Sequence, residues 1–287
     1  GLDYYLPKTA VRMQVLVEKT AMKPGQLADY SELYFKKPAA TTPQTTYRIV
    51  GISFTSEGQP DADKKFTVAV DKKHSIFTID CAPNGVLRAI NAKGKTAARP
   101  VAFRAAPKAA PLNPRDYMSQ DILSAGNLPK MAQLVAQEIY DIRDSRSQLS
   151  RGEADFMPKD GEQLRLMYSQ LATQEAALMQ LFQGKTTVDT TATVISFVPT
   201  KENLRPVVFR FSKSFGLCAA DDYSGDPVYA NIEDTGASKP LPETPAEVAK
   251  MKDGFNLGVA RPGHIRITLA TAEGKPLGYY DTDAAQF

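Results

Sequence analysis

Three groups of side chains in this sequence have the types and spacing that could do chemistry. The first is acidic. Asp141, Asp144, Glu153 and Asp160 fall close together in the middle of the chain. Glycoside hydrolysis needs two carboxyl groups held at a set separation, one of them able to give up a proton. Asp141, Asp144 and Glu153 are the candidate catalytic carboxylates on that reading. Yet Arg143 follows Asp141 and Arg146 follows Asp144. Charges alternating in sign are the mark of a solvated, ion-paired helix face. The guanidinium fork of each arginine also suits bidentate pairing with a carboxylate. The residues therefore favour a structural ion-pair cluster of Asp141, Arg143, Asp144, Arg146, Glu153 and Asp160. Arg143, Arg146 and Glu153 are expected to fasten it to a β layer.

The second group is Cys81, Cys218, His74 and His264, the only cysteines and histidines in the chain. A thiol activated by a histidine is a nucleophile. No Gly-x-Ser-x-Gly elbow is present, and the four residues lack zinc-ligand spacing. Surface histidines and structural thiols are the expectation, with a Cys81–Cys218 disulfide left open. The third group is Asp221, Asp222 and Asp226 around Gly225. These supply hard oxygens of the kind calcium takes, but not in the register of an EF-hand loop. An Asx-type turn is the expectation, with the three aspartates as a weak metal candidate. No phosphate loop or dinucleotide fingerprint occurs, so no cofactor is expected.

The elements that must position these groups alternate between two periods. Val11, Met13, Val15 and Val17 alternate with Arg12, Gln14, Leu16 and Glu18, which predicts a strand with one buried face, stopped at Lys23-Pro24-Gly25. Leu27, Tyr30, Leu33 and Tyr34 fall at helical spacing and predict a short helix covering one end of a sheet. From Thr45 to Ala92 short strands are expected, centred on Ile49, Val68, Phe77 and Val86 to Ile90. They are divided by turns at Glu57-Gly58-Gln59-Pro60-Asp61, Asp71-Lys72-Lys73-His74 and Pro83-Asn84-Gly85. Lys93 to Pro114 is rich in Pro and Ala and reads as an exposed connector. Met131, Leu134, Val135, Ile139 and Ile142 make one helical stripe. Leu164, Met167, Leu171, Leu178, Leu181 and Phe182 make a second. Asp160 with Gln163 looks like the cap of the second helix, and Gly184 its stop.

Strands return from Thr186 to Val198, Val207 to Phe211, Val228 to Ile232, Leu257 to Val259, Ile265 to Leu269 and Leu277 to Tyr280. Lys239 to Glu247 is a Pro-rich connector, and Glu273-Gly274-Lys275-Pro276 is a hairpin turn. The fold class is thus α+β, mainly antiparallel β in sandwich or meander sheets, with an inserted antiparallel helical hairpin. The chain divides as 1–114, β-rich with one short helix and the connector; 115–184, the helical hairpin; and 185–287, β-rich again. The β regions make either one composite domain or two.

Composition narrows the class. With 43% hydrophobic residues, 23% charged residues and a formal net charge of +3, the balance is that of a globular protein. No apolar run reaches the ~20 residues of a membrane helix. Charge is uneven: Lys64 to Arg115 holds eleven Lys or Arg against two Asp, whereas Asp116 to Gly184 holds ten acidic residues against six basic. A basic segment can meet an anionic partner, including a membrane surface peripherally. The scattered lysines lack the interleaved aromatics of a nucleic-acid platform, so no nucleic acid is expected. The absence of Trp weakens a carbohydrate-stacking platform, though twelve Tyr remain.

Several stretches together carry a resemblance. They are Tyr4-Tyr5-Leu6-Pro7-Lys8-Thr9, Arg143-Asp144-Ser145-Arg146, Gly152-Glu153, Met157-Pro158-Lys159-Asp160-Gly161-Glu162, Gln174-Glu175 to Phe182-Gln183-Gly184, Phe209-Arg210-Phe211-Ser212, Ser224-Gly225-Asp226-Pro227-Val228-Tyr229 and Ala285-Gln286-Phe287. In this order they resemble a domain-of-unknown-function family of exported cell-envelope proteins from Bacteroidales, across essentially the whole chain. The resemblance implies export, to the periplasm or outer-membrane surface, with a signal peptide removed and a short tail beyond Phe287. It supplies no catalytic residues. The expected function is a non-enzymatic binding or interaction module for a protein or glycan partner. The alternatives are a polysaccharide or peptide hydrolase using the hairpin carboxylates, and a structural component of an envelope complex.

Overall fold

The computed structural model describes residues 2–68, 79–90, 99, 101–237 and 262–287. The expected strand around Ile76 and Phe77, the turn at Asp71–His74, the strand at Leu257–Val259 and the connector at Lys239–Glu247 lie outside the described residues. The fold is α+β with mainly antiparallel sheets. Contacts divide the chain into two compact units that do not follow its order. Unit 1 comprises Gly1–Glu18, Tyr47–Arg104 and Thr190–Phe287; unit 2 comprises Lys19–Thr46 and Ala105–Asp189.

Unit 1 is built around the first strand, β1 (Leu2–Lys23), which contributes its first part here. Val11, Met13, Val15 and Val17 point one way and are all buried, as their alternation predicts. Beside β1 run β2 (Gln44–Val68) and β5 (Lys185–Phe197), in the order β2-β1-β5. The cross-strand pairs Asp3–Lys65, Arg12–Glu57 and Glu18–Arg48 show β1 and β2 to be antiparallel. The second sheet has the order β10-β9-β8-β6-β7. Its strands are β6 (Val207–Ser212), β7 (Gly216–Cys218), β8 (Asp226–Ala237), β9 (Pro262–Thr271) and β10 (Pro276–Ala285), all antiparallel. The β1 valines and Met13 share one core with Phe209, Val228, Ala230, Ile265, Ile267 and Leu269, so this part of unit 1 is a sandwich. Each such side chain contributes ~1.5–3 kcal/mol on burial. A small hairpin, β3 (Ile79–Cys81) and β4 (Leu87–Ile90), closes through Gly85 at φ +87° and packs Leu87 on Tyr4 and Leu6.

One expectation fails here. Glu57-Gly58-Gln59-Pro60-Asp61 is not a turn, because β2 runs straight through it. β2 is an edge strand, where the missing N–H of Pro60 is tolerated. Gly58 serves a close approach instead of a bend. A Cβ there would stand 3.3 Å from Val86 and 3.6 Å from Pro7.

Unit 2 is helical. After a 3₁₀ turn at Ala28–Tyr30 come α1 (Ser31–Phe35), α2 (Gln120–Leu123), α3 (Leu128–Arg151) and α4 (Gly161–Gln183). α3 and α4 are the expected hairpin. Asn127 caps α3, Gly152 ends it at φ +72°, and Asp160 Oδ1 accepts from Gln163 N at 2.6 Å to cap α4. Val135, Ile139 and Ile142 bury against Leu178, Leu181 and Phe182. The early helix packs among helices. Leu27, Tyr30, Tyr34 and Phe35 join this helical core, while Leu33 is exposed. The aromatic edges explain the choice: the Phe35 ring meets Phe182 at 4.9 Å and Tyr140 at 5.5 Å.

Candidate functional site

The hairpin carboxylates are not assembled into a site. Asp141 Oδ1 accepts from Gln137 Nε2 at 3.0 Å, and Asp144 Oδ2 accepts from Gln148 Nε2 at 3.2 Å, each within one turn of α3. Glu153 lies 4.0 Å from Arg151, exposed. Asp160 caps a helix. The arginines depart from expectation. Arg143 Nε donates to Glu175 Oε1 at 2.7 Å, and Arg146 Nη2 reaches Glu175 Oε2, so both close on one carboxylate of α4. The ion-pair cluster of Asp141, Arg143, Asp144, Arg146, Glu153 and Asp160, fastened to a β layer, is thus replaced by an interhelical clamp. The physical reason is spacing. Arg143 and Arg146 are three apart and share a helix face, and only a partner on the facing helix reaches both. Glu175 is the one acidic residue within the apolar stripe from Leu171 to Phe182. That isolation is the signal that could have marked it.

The thiol and metal candidates resolve similarly. Cys81 and Cys218 are not joined by a disulfide. Burial raises the Cys218 thiol above its ordinary pKa, with the nearby Asp222 charge adding to the shift. A thiol shifted that way is a poor nucleophile. Its Sγ donates weakly to the Gly216 carbonyl at 3.5 Å. His264 Nδ1 stands 3.0 Å from Asp283 Oδ1 instead; His74 lies outside the described residues. Asp222 forms the expected Asx turn, accepting from Ser224 N at 3.0 Å, and this bond holds its carboxyl below the usual range. Among the described residues no three His, Cys, Asp or Glu side chains group as metal ligands, so the fold does not bring Asp221, Asp222 and Asp226 together.

A cleft that the sequence did not mark lies wholly in unit 1, with a volume of about 630 Å³. Its floor and walls come from four places. β1 supplies Pro7 and Thr9, and β2 supplies Ser56, Glu57 and Gly58. The β3–β4 turn supplies Ala82 to Asn84 and Val86, with Leu87 and Arg88 beyond it, and β10 supplies Asp283. Backbone and side chains tie these pieces together. Ala285 N donates to Thr9 Oγ1 at 2.8 Å, Gln286 Nε2 donates to the Pro7 carbonyl at 2.9 Å, and Asn84 Nδ2 donates to the Gly58 carbonyl at 3.3 Å. Tyr280 Oη donates to Ser56 Oγ at 3.1 Å, and Ser56 and Thr282 exchange a hydroxyl contact at 3.1 Å. The Tyr280 ring stacks on Phe54 at 5.2 Å, which fixes that hydroxyl.

Both acids of the cleft are already partnered. Glu57 is ion-paired with Arg12, and Asp283 stands in hydrogen-bond contact with His264. Arg12 spends its terminal nitrogen on Glu57, while its Nε is buried without a hydrogen-bond partner. Sequence reasoning missed this cleft because Glu57 read as turn and Asp283 stood alone near Phe287. Arg12 sat on the polar face of β1, where a charge is ordinary.

No curated protein and no solved structure matches the chain. One family model does, over residues 1–287, and it agrees with the resemblance in being a domain of unknown function that spans the chain. The chain belongs to the family described as a domain of unknown function, DUF4831.

Proposed function

We propose that this protein is a non-enzymatic binding module of the cell envelope that takes a glycan in the unit 1 cleft. The observation that carries the reading is the state of the cleft's acids. Glu57 and Asp283 both line it, Glu57 ion-paired with Arg12 and Asp283 hydrogen-bonded to the His264 ring at 3.0 Å. Such a lining offers hydroxyls, an amide and carboxylates already held by partners to a neutral polar ligand. The resemblance to exported proteins supports the envelope location.

A second reading has an observation of its own. Two carboxylates and a histidine are ingredients of hydrolysis, and here both carboxylates line one cleft, with His264 held against one of them. Hydrolysis by Asp141, Asp144 or Glu153 has no comparable support, since each is bonded on an exposed helix face or loop.

Titration calorimetry with purified envelope polysaccharide fragments, followed by chromatography of the same mixtures, separates the two. Binding that weakens in Asn84→Ala, with the fragments recovered intact, is the expected result. Fragment cleavage that disappears in a folded Glu57→Gln or Asp283→Asn variant overturns the binding reading in favour of the hydrolase.

A further inference from the structure

We infer that a second copy of this chain pairs with the outer edge of β5, joining two three-stranded sheets into one across a two-fold axis. Any strand at the end of a sheet presents a row of backbone N–H and C=O groups that a further strand can take up. Proteins that must stay apart blunt such edges with charge, proline, bulges or brevity.

The free edges of unit 1 differ sharply in this respect. β2 carries Pro60, Asp61, Asp63, Lys64 and Lys65 along its length, and β7 is three residues long. β10 opens with Pro276, shifts register before Gly278, and bears Asp281 and Asp283. β5 carries charge only in its first part, at Lys185 and at Asp189, which is ion-paired with Lys108, and none of these devices beyond it. From Thr190 to Phe197 it reads Thr-Thr-Ala-Thr-Val-Ile-Ser-Phe, with no charge, no Pro and no Gly. Thr, Val, Ile and Phe are strand formers, so the segment is held extended and ready to pair. Among the described residues no strand pairs with its outer edge. Thr191, Ala192, Thr193 and Val194 are exposed in succession, which places both faces of the strand in solvent there, and Val194 is 52% exposed.

The occupant follows from the same sequence. An antiparallel copy of an uncharged segment meets no like charges. With the axis at Thr193, Thr193 faces its own twin, Ala192 faces Val194, Thr191 faces Ile195, and Thr190 faces Ser196. Thr–Thr and aliphatic pairs of this kind are favourable cross-strand neighbours. The contact is self-complementary, as a two-fold interface must be. It is separate from the cleft and does not rest on the glycan reading.

Sedimentation velocity over a range of concentrations tests it, with Thr191→Lys and Thr193→Lys together as the disrupting variant and Thr193→Ala as its control. The expected result is a concentration-dependent dimer for the wild type and Thr193→Ala. The double lysine variant should dissociate at least about tenfold more readily, because like charges then face each other across the pair. Its circular dichroism should match the wild type, since both positions are exposed. In a background of Cys81→Ser and Cys218→Ser, single cysteines at positions 191 to 195 locate the axis. One of them should cross-link to its twin under mild oxidation well above its neighbours. A wild type that stays monomeric at every concentration, a dimer indifferent to the lysines, or cross-linking equal at all five positions overturns the proposal.

Discussion

Glu175 shows how much one side chain can organise. It is only 16% exposed and receives guanidinium groups from both Arg143 and Arg146. Arg143 also lies over the Phe35 ring at 5.3 Å and the Tyr140 ring at 5.5 Å. The carboxylate thus fixes two arginines, and one arginine fixes two aromatic rings of the helical core. Glu175→Gln keeps the shape and removes the charge, and urea denaturation should show a loss of about 1–2 kcal/mol, between the worth of exposed and buried ion pairs. Asp141→Ala, which removes only a bond within one helix, should change stability by less than about 0.5 kcal/mol. The contrast reverses the order that sequence suggests. Asp141 and Asp144 drew notice because they stand beside arginines in the chain, yet charge in an α-helix is paired by faces and not by neighbours. Glu175 could be recognised only once the facing helix was known.

At the scale of elements, most of the architecture is legible in period and punctuation. The buried face of β1, the two stripes of the hairpin, Gly152, Asp160 and Gly184 all act as their residue types suggest. Two failures have distinct causes. Gly58 and Pro60 looked like a turn because their types favour turns, but the edge position of β2 accommodates Pro60 and the close approach of Val86 and Pro7 accounts for Gly58. The helix near Leu27 was recognised, but its partner was not, since amphipathicity says that a face is buried and not against what. Glycines that serve close approach are equally silent. At Gly25 a Cβ would fall 2.2 Å from the Leu181 carbonyl oxygen and 2.5 Å from that of Gln180. Leu27 N donates to the same Leu181 oxygen at 2.7 Å. Gly25→Ala should therefore push the 24–27 turn off the end of α4 and cost at least about 2–3 kcal/mol, read as a fall in melting temperature. Gly152→Ala, where a Cβ meets nothing within 4 Å and only the positive φ objects, should cost less, about 1 kcal/mol.

Among the described residues the two largest buried clusters, one between sheets and one among helices, share no residue. Truncations should therefore act locally. Phe182→Ala should cost ~3–5 kcal/mol and Ile267→Ala ~2–5 kcal/mol. In hydrogen exchange the first should deprotect α3 and α4 and the second β8 to β10, each more than the other unit. Equal loss of protection across both units would contradict independent cores. The cleft was out of reach of sequence at this scale, because its walls come from β1, β2, the β3–β4 turn and β10, which meet only in the fold. The interleaving of the units has a consequence for how the chain is made. A ribosome delivers Val11, Met13, Val15 and Val17 long before Ile265, Ile267 and Leu269, which cover them. At ~5–20 residues per second that interval is on the order of ten seconds or more. Every segment of unit 2 has emerged by Asp189. The helices can thus be finished while β1 still waits with an apolar stripe bare, so in a newborn chain β1, and not the hairpin, is the segment a holdase would cover.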